Sequence, residues 1–175
     1  MKKTIWIFNH YGCTPTTGQL TRSYYFAKEL IKRGYTATVF ASNQLHHLQK
    51  TYDTNGRSYI EKLDEDAPVV FVKTTPYNML SFAWRLFSVT KKYSKEKSKP
   101  DVIIASSPHP LTCISGLFIA RRYQVPCIIE IRDLWPESLI EYGKLKKGGI
   151  LAGLLYKGEK WIYKKADKII FTFEG

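Results

Sequence analysis

The chain has 175 residues, with 27 Lys or Arg against 15 Asp or Glu, for a formal net charge of +12. That length supports one domain with a sizeable core, and an apolar content of 44% excludes a disordered chain. The charge favours anionic partners such as phosphates, nucleotides, nucleic acid or an anionic membrane surface, and no apolar run reaches the ~20 residues that span a bilayer. The three cysteines, Cys13, Cys113 and Cys127, have neither metal-ligand nor disulfide spacing and point to a reduced, cytoplasmic setting.

Thr4–Phe8 is apolar and β-prone and predicts a first strand; its apolar part is too short for a signal peptide. Residues 9–18, with His10 near the start and Gly18 at the end, form a loop of turn-forming residues. Residues 19–33 predict a helix with Leu20, Tyr24, Ala27, Leu30 and Ile31 on one face, closed by Gly34. Residues 36–41 predict the second strand. This strand–loop–helix–strand unit is the core of a Rossmann-like half. The loop lacks a complete Gly-x-Gly-x-x-Gly. What remains is Gly18 at the head of a helix, where free N–H groups and a partial positive charge suit a phosphate. The plainer reading is a loop glycine.

Residues 43–66 are polar and poorly periodic, an excursion with an Asn55-Gly56 turn signal and room for a short hairpin. His46 and His47 are adjacent, diverge, and read as surface residues rather than metal ligands. Residues 69–73 predict a strand. Residues 78–97 predict a helix with Leu80, Trp84, Phe87 and Val89 apolar and a basic tail, stopped by Pro100. A fourth parallel strand at 101–105 runs into Ser106-Ser107-Pro108-His109-Pro110. His109 there either donates to a sugar hydroxyl or phosphate or is an exposed turn histidine. Residues 112–123 predict a helix.

Cys127 opens a mostly β-branched run that reads as a strand buried on both faces, ending in Arg132-Asp133-Leu134-Trp135-Pro136-Glu137-Ser138. Pro136 disfavours helix at Trp135, so a turn follows. Arg132, Asp133 and Glu137 then lie just past the carboxyl end of a central strand, where open α/β sheets bind ligands. The plainer reading is an Arg132–Asp133 pair that only organises the turn. Residues 145–166 mix apolar residues with lysines, either as a core-packing helix with a solvated face or as a helix resting on anionic lipid. Residues 168–173 predict a last strand. A doubly wound domain continues into a helix there, so the expectation is a longer protein. The architecture expected is a three-layer α/β Rossmann-like domain, with a parallel sheet of about six strands and helices on both faces.

Glu130-Ile131-Arg132-Asp133-Leu134-Trp135-Pro136-Glu137-Ser138 resembles the Arg-Asp-Leu-Trp-Pro segment of bacterial family 4 glycosyltransferases, nearest the branch that builds O-antigen and capsule sugars. The resemblance implies the GT-B fold, two Rossmann-like domains across a cleft. Residues 1–175 would be the N-terminal, acceptor-side domain, with the donor-binding domain outside this chain and the fragment inactive alone. It implies a retaining transfer from a nucleotide sugar to a carbohydrate or polyprenyl-linked acceptor in surface polysaccharide or lipopolysaccharide synthesis. No cofactor beyond that donor, and no metal, is expected. The family usually carries a glycine pair and then an arginine in the first loop; here Gly18-Gln19-Leu20-Thr21-Arg22 keeps one glycine and the arginine. Asp133 is the candidate catalytic residue. His10, Gly18, Arg22, His109, Arg132 and Glu137 are the candidate substrate-binding residues.

Two other classes make different demands. A nicotinamide-dependent oxidoreductase needs a full glycine fingerprint and an acid near the end of the second strand, where Ala41-Ser42-Asn43 offers none. A non-catalytic nucleotide- or nucleic-acid-binding module needs its cations on one face with exposed aromatics, whereas these lysines are spread over several helices. No nucleic-acid partner is therefore expected. The expected location is cytoplasmic, peripheral on the inner face of the cell membrane.

Overall fold

The structure, a computed structural model, describes residues 2–45, 49–64, 66–76, 78–107 and 109–172. His46, His47, Pro108 and the end of the expected last strand at Phe173 lie outside the described residues. The elements in chain order are β1 (Thr4–Phe8), α1 (Arg22–Lys32), β2 (Thr36–Ser42), β3 (Gln44–Leu45), β4 (Lys50–Thr51), β5 (Tyr59–Asp64) and β6 (Ala67–Val72). Then come α2 (Met79–Glu96), β7 (Val102–Ser107), α3 (Pro110–Tyr123), β8 (Cys127–Ile131), α4 (Glu137–Glu141), α5 (Ile150–Lys165) and β9 (Lys168–Phe171).

Seven strands make one sheet in the order β5-β6-β2-β1-β7-β8-β9, and β3 and β4 pair separately. Every neighbouring pair in the large sheet is parallel except β5–β6, which is an antiparallel hairpin at the edge. The chain winds outward from β1 through β2 to β6, returns to β7 on the other side of β1, and continues to β9. The strand order thus reverses between β1 and β7, the switch point at which doubly wound sheets bind ligands. The expected α/β architecture with six parallel strands is observed. The seventh strand, β5, comes from the polar segment read as an excursion. Its side chains are mostly half-buried, so it shows no continuous apolar run.

All five residues of β1 are buried, as a strand between two helical layers requires. Trp6 and Phe8 point to the layer of α2, α3 and α5, where the Trp6 ring lies 5.2 Å from Phe40 and 5.4 Å from Tyr123. Ile5 and Ile7 point to the other face, under Tyr24 and Ala27 of α1. Two aspartates fix strand starts. Asp101 accepts from the Thr4 amide at 2.7 Å, and Asp167 accepts from the Cys127 amide at 2.8 Å. All three cysteines are buried and free.

The helices differ from expectation in three ways. First, α1 begins at Arg22, three residues later than the apolar spacing suggests. Residues 14–18 are taken up by a turn in which the amides of Thr17 and Gly18 both donate to the Thr14 carbonyl. Second, α2 buries Phe82, Leu86, Val89 and Tyr93, which leaves Leu80 65% and Trp84 81% exposed. The helix is apolar on more than one side, and packing against α3 selects the stripe through Leu86. Third, α5 buries only Ala152 and Ile162 and is not a core helix along its length.

Gly116 shows how closely α3 seats on the sheet: a Cβ there would lie 2.5 Å from the Cβ of Ala105 on β7. Gly116→Ala is expected to destabilise the domain by about 1–3 kcal/mol, the scale of overpacking. In Gly153 of α5 a Cβ meets nothing within 4 Å, so Gly153→Ala should stabilise by up to ~1 kcal/mol. Thermal melts of the two variants check the pair. A Gly116→Ala protein as stable as the parent would show that α3 does not sit this close to β7.

Candidate functional site at the switch point

The carboxyl ends of β1 and β7 bring two histidines together. His10 follows β1; His109 caps the start of α3, with Pro110 in its first turn. Their ring centroids are 5.0 Å apart, and the His10 ring also packs 4.6 Å from Tyr11 and 4.8 Å from Phe82. His109 is 2% exposed, so it is not an exposed turn histidine. Burial holds its pKa down at about 4, which makes the ring neutral at pH 7. Neither of its ring nitrogens has a hydrogen-bond partner among the described residues, nor do the buried hydroxyls of Ser106 and Thr112. Buried polar atoms are nearly always paired, and exceptions call for an explanation such as a functional role. These four atoms fall within seven residues of sequence at the end of β7 and the start of α3, and the Trp6 indole N–H in the core is a further such group.

Around them the backbone is firmly held. The Asn9 side chain donates to Ser23 at 2.6 Å and accepts from the Tyr11 amide at 3.2 Å. Asn43 accepts from the Thr74 amide and donates to the Tyr52 carbonyl, both at 2.9 Å. Beside His10 and Tyr11 opens a cavity of about 340 Å³ with Gln44, Lys50, Thr51 and Met79 on its walls. The β3–β4 hairpin forms one side, and Thr51 donates to Gln44 there at 2.9 Å. Amide, hydroxyl and ammonium groups next to an aromatic ring and a thioether suit a polyhydroxylated ligand.

On the other side of the switch point, β8 ends at Ile131. The Arg132 amide donates to Ser107 Oγ at 3.3 Å and ties that end to β7. Asp133 follows, exposed, and makes no hydrogen bond or ion pair among the described residues. The plainer reading of an Arg132–Asp133 pair organising the turn therefore has no counterpart there. The Trp135–Pro136 peptide is cis, and α4 starts directly after it. Glu137 accepts a hydrogen bond from the Tyr156 hydroxyl of α5, so its carboxylate joins α4 to α5. That contact raises the pKa of Tyr156.

Gly18 is not at a helix N-terminus. Its amide is used in the turn to Thr14, at 3.1 Å, and α1 is capped at Thr21. What Gly18 provides is room, since a Cβ there would press on Cys13 Sγ at 3.0 Å. Arg22 does stand on the first turn of α1, and its Nε donates to Glu130 Oε1 at 3.0 Å. The Arg22 side chain is 56% exposed and that of Glu130 only 7%.

The structure thus gathers His10, Tyr11 and His109 at one point, with Ser106 and Thr112 on the β7–α3 segment beside it and Arg132 and Asp133 on the neighbouring strand end. It turns Glu137 away to α5 and draws Gly18 into a turn. Glu130, Ser106, Thr112 and the hairpin residues were not singled out from the sequence. Glu130 had a signal, a lone acid inside Cys-Ile-Ile-Glu-Ile. Ser106 and Thr112 had none, because unpaired hydroxyls are visible only in three dimensions. Among the described residues no group of three or more His, Cys, Asp or Glu is placed to hold a metal ion.

Residues 17–175 match the glycosyl transferase 4-like domain family. Among solved structures, sucrose-phosphate synthase from Thermosynechococcus elongatus superposes with a TM-score of 0.64 at 14% identity, over 96% of this chain and 42% of that one. A second structure of that enzyme, covering 99% of this chain and 90% of its own, gives a TM-score of 0.55 at 11% identity. No curated protein matches in sequence. The chain spans less than half the length of the synthase chain it superposes on first. At these identities the superpositions show the fold, a Rossmann-like half of the GT-B type, and the family match shows the kinship: this chain belongs to the glycosyl transferase 4-like domains.

Proposed function

We propose that this chain is the N-terminal, acceptor-side half of a nucleotide-sugar-dependent, retaining glycosyltransferase of the hexosyl type, acting in surface polysaccharide or lipopolysaccharide synthesis. The observation that carries the reading is Asp133. A carboxylate just past β8, which is next to β7 of the switch point and second from the sheet edge rather than central, has no partner among the described residues; that supports a ligand contact over a turn brace. Its presence in a glycosyl transferase 4-like domain gives that ligand a class.

Transfer needs a stabilised leaving diphosphate and an acceptor hydroxyl held in line. The donor nucleotide would be held mainly by a second domain. From this half, Arg22 would meet the diphosphate. Glu130 aims its guanidinium through Nε, which leaves the outer nitrogens for an anion. Asp133 would accept a hydrogen bond from the acceptor hydroxyl and orient it. His109, neutral, can donate from one nitrogen and accept at the other, which suits a sugar hydroxyl. The reading uses no cofactor beyond the donor.

The outer surface of the helical layer supports a place at a membrane. Trp84 is 81% exposed in a cavity shared with Lys91 and Arg122, and the rings of Phe118 and Trp161 lie tilted, 6.0 Å apart, beside Arg121 and Lys165. Exposed aromatics flanked by cations suit the interface of an anionic bilayer. No helix of the described residues is long and apolar enough to cross a membrane.

Three outcomes test these assignments. Asp133→Asn in the two-domain enzyme is expected to lower kcat/KM by about 10²-fold or more at unchanged melting temperature, the scale of a positioned acid–base group; wild-type turnover would return Asp133 to the scaffold. His109 binds its proton less readily folded, at about 4, than unfolded, near 6.5. Its contribution is therefore complete above pH 6.5 and is lost as pH falls toward 4, up to about 3 kcal/mol. Denaturant titrations at pH 4.5 and 7.5 should show a smaller pH difference for His109→Gln than for the parent, and equal differences would contradict the burial of an unpaired ring. Finally, the chain should co-sediment with vesicles containing anionic lipid, less so at high salt or with Trp84→Ala, and little with neutral vesicles. Indifference to lipid charge would count against the membrane surface.

A further inference from the structure

The cavity of about 340 Å³ beside His10 and Tyr11 falls within the ~300–1,000 Å³ of small-molecule sites. It opens at the switch point, because His10 both lines it and packs 5.0 Å from His109. One wall is the β3–β4 hairpin, which is separate from the large sheet.

The hairpin is anchored at its root by a single residue. Asn43 follows β2 and is 3% exposed. Its amide donates to the Val72 carbonyl of β6 at 2.9 Å, and its side-chain oxygen accepts from the Thr74 amide, also at 2.9 Å. It meets Tyr52, the residue after β4, twice. The Asn43 carbonyl accepts from the Tyr52 amide at 2.7 Å, and the Asn43 side chain donates to the Tyr52 carbonyl at 2.9 Å. The Tyr52 ring then stacks on Phe71 of β6, with centroids 4.6 Å apart. Two strands of two residues each would not pair stably alone; held at both ends, they make a fixed wall.

What that wall presents is one charge. Gln44 has both ends of its amide engaged: Oε1 accepts from the Thr51 hydroxyl at 2.9 Å, and Nε2 donates to Asn43 Oδ1 at 3.3 Å and to the Thr74 carbonyl at 3.4 Å. Lys50 pairs across from Leu45, and its ammonium has no hydrogen bond or ion pair among the described residues. No described Asp or Glu lines the cavity. Tyr11, Leu45, Pro76 and Met79 supply the rest of its surface. An aromatic ring and apolar carbons suit the C–H face of a sugar ring, and an unopposed ammonium suits an anion. Lysine is a single point charge, which matches one carboxylate and leaves a phosphate dianion half compensated.

We propose that this cavity binds an acidic sugar, a uronic acid residue of the acceptor, and that Lys50 determines this specificity by meeting the carboxylate. That the sugar belongs to an acceptor rests on the transferase reading; the preference for an acidic sugar over a neutral one does not.

The test is a magnetic-resonance titration of the isotope-labelled chain, read at the Gln44 side-chain amide and the backbone amides of the hairpin. The probes are the methyl glycosides of glucuronic and galacturonic acid, with those of glucose and galactose and with sodium acetate in parallel. The parent is expected to bind one of the uronides about fivefold or more tighter than its neutral counterpart and than acetate, the scale of one partly exposed ion pair, with the difference shrinking at high salt. Lys50→Gln should bind acidic and neutral glycosides alike at an unchanged melting temperature, since Lys50 braces nothing. Lys91→Gln, on α2 and outside the cavity, should keep the parent's preference. No binding of either uronide, equal binding of acidic and neutral glycosides by the parent, acetate bound as tightly as the uronide, or a preference that survives Lys50→Gln would each overturn the proposal. Because no donor or turnover is involved, failure here is separate from failure of the Asp133→Asn test.

Discussion

The molecule depends on one constraint, the central position of β1. Its five residues are buried on both faces, and the chain must leave it first toward β2 and later return to its other side as β7. Two connections that depart in opposite directions cannot close over the carboxyl ends of the strands they leave, so a crevice remains there. His10 and His109 meet in it because they follow the two strands that flank the reversal. Nothing local to either histidine sets the 5.0 Å between their rings; the register of β1 against β7 does.

That crevice is held at a cost. His109, Ser106 and Thr112 keep buried polar atoms without partners among the described residues, and each such atom costs about 1–3 kcal/mol. The close contact of Gly116 with Ala105 and the aromatic packing around Trp6 belong to the same strands and helices. Rigid packing of those strands and helices limits how far these polar atoms can move. The same logic extends to α5, where exposed leucines and an unneeded glycine sit on the helix that the core uses least.

Much of the architecture was legible in the sequence, because buried parallel strands are short β-branched or aromatic runs and the helices between them are closed by Gly34 and Pro100. β5 was not legible: an edge strand is half-exposed, and Tyr59-Ile60-Glu61-Lys62-Leu63-Asp64 carries as many charges as apolar residues. The buried face of α2 was not legible for the opposite reason, since a helix apolar on several sides, Trp84 included, does not announce which side packs. Of the site, Asp133 and His109 could be named because both follow strands directly. Gly18 could not be placed, because whether a glycine precedes a helix by one residue or four depends on turn hydrogen bonds that the Thr14–Thr17 stretch makes with itself.

The Arg22–Glu130 pair joins the two halves of this description. Glu130 is an acid in an apolar strand, on the face that also carries Ile128 and is served by α1. A carboxylate buried that far is tolerated only with a partner, and its removal from water offsets much of the attraction. The pair is thus poor evidence for stability and better evidence for position. Through one bond at Nε it fixes a guanidinium at the first turn of α1, close to the partial positive charge of that helix end, while more than half of the arginine side chain stays in solvent. An arginine needed only to neutralise Glu130 would gain most by presenting both of its forks to the carboxylate. This one presents a single nitrogen, Nε, so its remaining donors are not spent on the carboxylate.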